Sequence, residues 1–121
     1  MIQVKEIEKL KDAFIGAFEG GSTYWANVKD KTPKKVDVAY GECTSVRWFH
    51  HILEGGSMDI YDAECESELL GTVTFEGLKA APKKLENEVE RMYLDYKYQR
   101  GDCYTDDAIL QLSIFDRLIF G

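Results

Sequence analysis

The last stretch of the chain constrains the fold most. Ala108, Leu112, Phe115 and Ile119 repeat at helical spacing, and Ile109, Leu110, Ile114 and Leu118 fill most of the remaining circumference. From residue 108 onward only Gln111, Ser113, Asp116 and Arg117 are polar before the closing Phe120-Gly121. A helix apolar nearly all round must be covered on every side, by the rest of its own chain or by an interface. This leaves room for a homodimer. Thr105 is placed to cap the helix, with Asp106 and Asp107 set against the positive end of its dipole.

The preceding sequence supplies amphipathic cover. Ile7, Leu10, Phe14 and Ala17 or Phe18 recur at three- and four-residue steps among charged residues, which predicts a first helix stopped by Gly20-Gly21. Ser22 to Trp25 reads as a turn or a short second helix. Lys29 to Lys35 is a basic loop, and Val36, Val38 and Tyr40 alternate as a short strand. An aromatic-rich helix over 46–54, capped by Thr44 or Ser45, ends at Gly55-Gly56. Residues 57–75 read as a β-hairpin with the acidic connection Glu64-Cys65-Glu66-Ser67-Glu68. Thr74 caps a long helical run through Leu78, Ala81, Leu85, Val89, Met92 and Tyr96, which Pro82 must kink, break or restart, and which stops at 100–102. The expected architecture is a single α+β domain over 1–121: four or five helices packed on a small antiparallel sheet with a β-hairpin at about 57–75.

A chain of 121 residues buries a core without a metal or disulfide staple. Cys43, Cys65 and Cys103 are odd in number, widely spaced and without a CxxC pair, as expected of free thiols in a reducing compartment. No window reaches the roughly 18 apolar residues of a membrane span, and the N-terminus turns charged at once. A cytoplasmic protein is expected. The net charge of −7 disfavours direct nucleic-acid binding and suits a basic partner.

Sequence motifs of catalysis are missing. GxxxxGK[ST], GxGxxG and GxSxG do not occur. His50 and His51 are adjacent, so on a helix they point about 100° apart and do not share a metal readily. Cys43 near them lacks a marked oxyanion site or orienting group. No cofactor, metal or catalytic residue is assigned. The densest acid cluster, Asp59, Asp62, Glu64, Glu66 and Glu68, lacks the glycine and spacing of a calcium loop and reads as a negative finger for a basic groove. A rival reading has Tyr24, Trp25 or Trp48 stacking on a nucleotide base, with Lys34, Lys35 or Arg47 meeting its phosphate.

Several blocks, in order, resemble a family of small uncharacterised phage and prophage proteins of Firmicutes. Ala17 to Trp25 is similar to their (A)(L/F)EGGxxYW segment, and Gly55 to Asp62 to a strand after a middle helix. Thr74 to Leu78 is similar to a helix start, and Leu110 to Gly121 to a closing LQxxxFxxxxFG block, while 26–44 departs freely. The resemblance implies phage or prophage origin and no particular activity. In that setting the expected function is an accessory binding protein that inhibits a host defence system by stoichiometric binding, its partner a host protein such as a nucleic-acid-binding effector. The alternatives are a sponge for a signalling nucleotide and an enzyme.

Overall fold

The structure, a computed structural model, describes residues 2–28 and 44–121. The basic loop with Lys34 and Lys35, the strand expected at 36–40 and Cys43 lie outside the described residues. Among the described residues, five α-helices and a three-stranded antiparallel sheet make an α+β fold, as the patterning predicts.

Helix α1 (Val4–Gly16) buries Leu10, Ala13 and Phe14. It runs into a π-turn, Ala17–Gly21, that ends at the expected glycine pair. Helix α2 (Thr44–Leu53) buries Ser45, Trp48, Phe49 and Ile52, a stripe at helical spacing, and stops at Gly55, whose φ of 101° suits glycine. Phe14 meets Phe18 and Phe49 edge-on at centroid distances of 4.8 and 5.6 Å, joining α1 to α2.

The expected hairpin is present. Strands β2 (Ser57–Asp62) and β3 (Leu69–Thr74) pair antiparallel, with a bulge between Ile60 and Tyr61. Met58, Ile60 and Val73 face the core, while Ser57, Asp59 and Thr72 face out. Sequence patterning misses the third strand, β1 (Ala26–Asn27), which pairs with Asp62 and Tyr61. Two residues are too few to show alternation.

Thr74 caps helix α3 (Phe75–Glu88) by accepting the Gly77 N–H. Pro82 does not break it. α3 absorbs the proline in its buried face, forgoing one backbone hydrogen bond. The break falls at Val89, whose φ of −144° and ψ of 83° separate α3 from helix α4 (Glu90–Lys97). Helix α5 (Cys103–Phe115) starts earlier than expected. Asp102, not Thr105, is its N-cap, accepting the N–H groups of Tyr104 and Thr105 in a capping box that also uses the Thr105 side chain. It also ends earlier, at a left-handed Asp116 (φ 64°), and the chain then folds back.

Helix α5 is the centre of the molecule. α1, the π-turn, β3, α3 and α4 all pack on it, and Ala108 to Leu112 are buried. Its apolar circumference is therefore used within the chain and gives no argument for a dimer. No helix among the described residues is long and apolar enough to cross a membrane.

Candidate functional site

Three places hold polar groups in arrangements that matter. The first lies on the buried side of α5. Asp107 is only 6% exposed, yet its carboxylate accepts four hydrogen bonds. Oδ1 takes the Ser22 hydroxyl and the Trp25 Nε1–H, both at 2.7 Å. Oδ2 takes the Tyr24 hydroxyl at 2.7 Å and the Gln111 amide at 3.0 Å. These donors fill the lone-pair positions of a carboxylate, so it acts purely as an acceptor. Gln111 in turn accepts the backbone N–H groups of Ile119 and Phe120 and donates to the Phe120 carbonyl. Phe120 stacks on Trp25, with centroids 4.8 Å apart and planes 10° from parallel. The Ser22–Trp25 segment, α5 and the end of the chain thus share one polar node inside an aromatic cluster.

This node corrects two expectations. Trp25 belongs to the core, its N–H consumed by Asp107, and offers no free face for a base. Trp48 is likewise buried, edge-on to Phe18 at 5.5 Å, and Arg47 is half-buried on α2. Tyr24 remains 53% exposed. Burial, and then its hydrogen bond to Asp107, push its hydroxyl up to about 12. Asp107 is more than a helix-start charge, a role the sequence could not show because three of its four partners lie 82 to 85 residues away.

The second place is a cleft of about 180 Å³ between α1, α4 and α5, lined by Asp12, Tyr96, Gln99, Thr105 and Asp106 among others. Burial, then the charges of Asp102 and Asp12, raise the Asp106 carboxyl to about 6. Tyr96, which donates to Glu6 at 3.2 Å, is held far above its ordinary range, by burial first and then by that carboxylate. Because the raised value means the folded state holds its Asp106 proton more tightly than the unfolded chain, stability falls as pH climbs from about 4 through 6. Asp106→Asn is expected to stabilise the protein at pH 7.5 by about 1 kcal/mol, a figure discounted for partial exposure. Thermal melts should show a gain of a few degrees at pH 7.5 that vanishes near pH 4. An equal gain at both pH values would contradict the assignment.

The third place is the tip of the β2–β3 hairpin. The five acids singled out by sequence divide there. Asp62 Oδ1 accepts the N–H groups of Glu64 at 2.7 Å and Cys65 at 3.2 Å, so this carboxylate forms the turn. Asp59 accepts the Thr72 hydroxyl across the strands at 3.0 Å. Glu64, Glu66 and Glu68 are exposed, and their carboxylates make no ion pair among the described residues. The tip is tied to the rest of the fold where the Ala63 N–H donates to the Trp25 carbonyl at 2.9 Å.

The histidines stay apart from these places. His51 Nε2 lies 3.2 Å from the Ser57 carbonyl, and the His50 ring packs edge-on to Phe49. No group of three or more potential ligands that could hold a metal ion occurs among the described residues. Cys65 and Cys103 are free and exposed. Comparison with protein-family models, curated proteins and solved structures returns no match for this chain.

Proposed function

We propose that this protein acts by stoichiometric binding to a basic protein surface, using the acidic hairpin tip as its recognition element. One observation carries the reading. Three carboxylates without an ion pair to any described residue, Glu64, Glu66 and Glu68, are presented together on a loop whose shape Asp62 holds from within. A negative tip on a preformed turn steers association with a positive groove and sets specificity with less backbone to order on binding.

The resemblance to phage and prophage proteins supplies a setting: the basic surface belongs to a host defence protein whose nucleic-acid groove the tip would occupy. The nucleotide-sponge alternative loses two of its three aromatic platforms to the core, Trp25 and Trp48.

The test is the triple reversal of Glu64, Glu66 and Glu68 to lysine, leaving Asp62 in place to keep the turn. Proteins captured from a bacterial host lysate by the wild-type chain and by the variant are compared, and the wild-type-specific partner is titrated by calorimetry. The variant should melt within about 2 °C of wild type, because exposed charges contribute little to stability. It should bind the partner at least about tenfold more weakly, with a flattened salt dependence. Equal capture and equal affinity of both chains would remove the acidic tip from the binding mechanism.

A further inference from the structure

Beside the Asp107 node the surface opens into a cleft of about 410 Å³. Its walls are the rings of Tyr24, Tyr104 and Phe120 with the side chains of Met92 and Leu118, and Asp107 lies in its lining. Tyr104 is 71% exposed and Tyr24 53%, although apolar residues lie beside both in the same cleft. Exposed rings grouped around one concavity are what a binding anchor looks like, whereas scattered ones need no explanation.

Electrostatics select the occupant. The Asp107 carboxylate is satisfied by neutral donors alone: a hydroxyl, a phenol, an indole and an amide. No ion pair to it forms among the described residues. Tyr24 donates its proton to the Asp107 carboxylate, which polarises the phenol whose exposed ring borders the cleft. Exposed aromatic rings, a polarised phenol and a carboxylate held by neutral donors alone favour a cation with apolar flanks. A planar guanidinium is weakly hydrated, stacks on aromatic rings and carries an aliphatic stem that Met92 and Leu118 can cover.

We propose that this cleft receives an arginine side chain of the partner protein. The inference rests on the protein-binding reading above and adds a second contact to it. The tip is anchored on the Trp25 carbonyl, one residue along the chain from Tyr24 of the cleft. The partner's basic surface would meet the hairpin and insert a side chain here.

The first arm of the test needs no partner. The probe is N-acetyl-arginine methylamide, and the signals are the Met92 methyl and the Tyr104 ring in NMR spectra of the full chain. A saturable shift is expected, with the citrulline analogue, of nearly the same shape but uncharged, binding at least about tenfold more weakly. Tyr104→Ala should weaken the probe about fivefold or more, and Tyr104→Phe should restore it, since the ring and not the hydroxyl makes the contact. Equal binding of citrulline, indifference to Tyr104→Ala, or a tetramethylammonium ion that outcompetes the arginine probe would each overturn the proposal. The last would assign the cleft to a free organic cation.

The second arm uses the captured partner. Loss of affinity with Tyr104→Ala, beyond that caused by the hairpin reversal, supports the arginine contact. If the hairpin reversal weakens binding and Tyr104→Ala does not, the cleft inference fails and the acidic-tip reading stands. If neither variant changes affinity, both fail.

Discussion

Asp107→Ala is expected to lower the folding free energy by about 4 kcal/mol, the largest effect of any single substitution considered for this chain. Four donors converge on the carboxylate, three of them at 2.7 Å and the Gln111 amide at 3.0 Å. Each bond to a charged acceptor contributes about 1.5–3 kcal/mol, but these bonds replace ones to water and share one acceptor, so they do not add fully. What decides the outcome is the state left behind. Ser22 and the Trp25 indole N–H are buried and both donate to Asp107, so alanine strands them at about 1–3 kcal/mol each. Tyr24 and Gln111 can turn toward water or toward the chain end. The melting temperature should fall by about 12–20 °C. Near-ultraviolet dichroism from Trp25 should collapse before far-ultraviolet dichroism does, because the tryptophan and its stacked Phe120 lose their anchor while the helices persist. Asp107→Asn keeps the shape but offers one oxygen to four donors, with its own amide hydrogens pointed at two of them, so a loss of about 2–3 kcal/mol is expected. A melting temperature within about 3 °C of wild type for the alanine variant would show that the node carries little of the stability.

The same node marks where reading from sequence runs out. Local signals worked where one element carried its own pattern. The α1 stripe through Leu10 and Phe14, the glycine stops at 20–21 and 55–56, the hairpin over Ser57–Thr74 and the Thr74 cap all rest on patterns local to one element or one pair of neighbouring strands. Burial of α5 was also legible, since an all-round apolar helix has no other stable place. Asp107 was not. Beside Asp106 at a helix start, it has the appearance of a charge set against the helix dipole, and nothing local separates the two. Their fates differ because 100° of helical rotation turns Asp107 toward Trp25 and Asp106 toward Asp12 and the α1 surface.

Two errors of boundary have the same cause. Asp102 and Thr105 are both good caps, and the capping box uses both, so spacing alone could not choose which comes first. Pro82 is the stronger local breaker, yet the helix breaks at Val89, where tertiary packing overrides propensity. Of the candidate site, the acidic hairpin was visible as composition. Its division into turn-forming Asp62 and outward Glu64, Glu66 and Glu68 needed the backbone geometry. Tyr104 carried no signal, because a lone tyrosine in the first turn of a helix looks like any other surface aromatic.

Gly21→Ala is the second large effect, and it tests the same interface from the backbone side. A Cβ at this position would lie 2.6 Å from the carbonyl oxygen of Cys103, in the first turn of α5. Backbone cannot swing aside as a side-chain tip does, so the Ala17–Gly21 turn must move away from α5 and carry Ser22 with it. A loss of about 2–3 kcal/mol is expected, or about 8–12 °C in melting temperature. Gly55→Ala serves as the contrast. Gly55 has a φ of 101° and open space around it, so alanine there meets backbone strain without crowding and costs about 1–2 kcal/mol. Asparagine, which tolerates left-handed backbone, should recover part of that loss at 55, whereas at 21 it adds bulk and should be worse than alanine. Coupling provides the sharper measurement. Since Gly21→Ala acts by pulling Ser22 off Asp107, the Gly21→Ala, Asp107→Ala double variant should lose at least about 1 kcal/mol less than the two single losses combined. Simple additivity would mean that the close approach at Gly21 and the carboxylate node stabilise the fold separately, and that the Ser22–Trp25 segment is held in place by something other than Asp107.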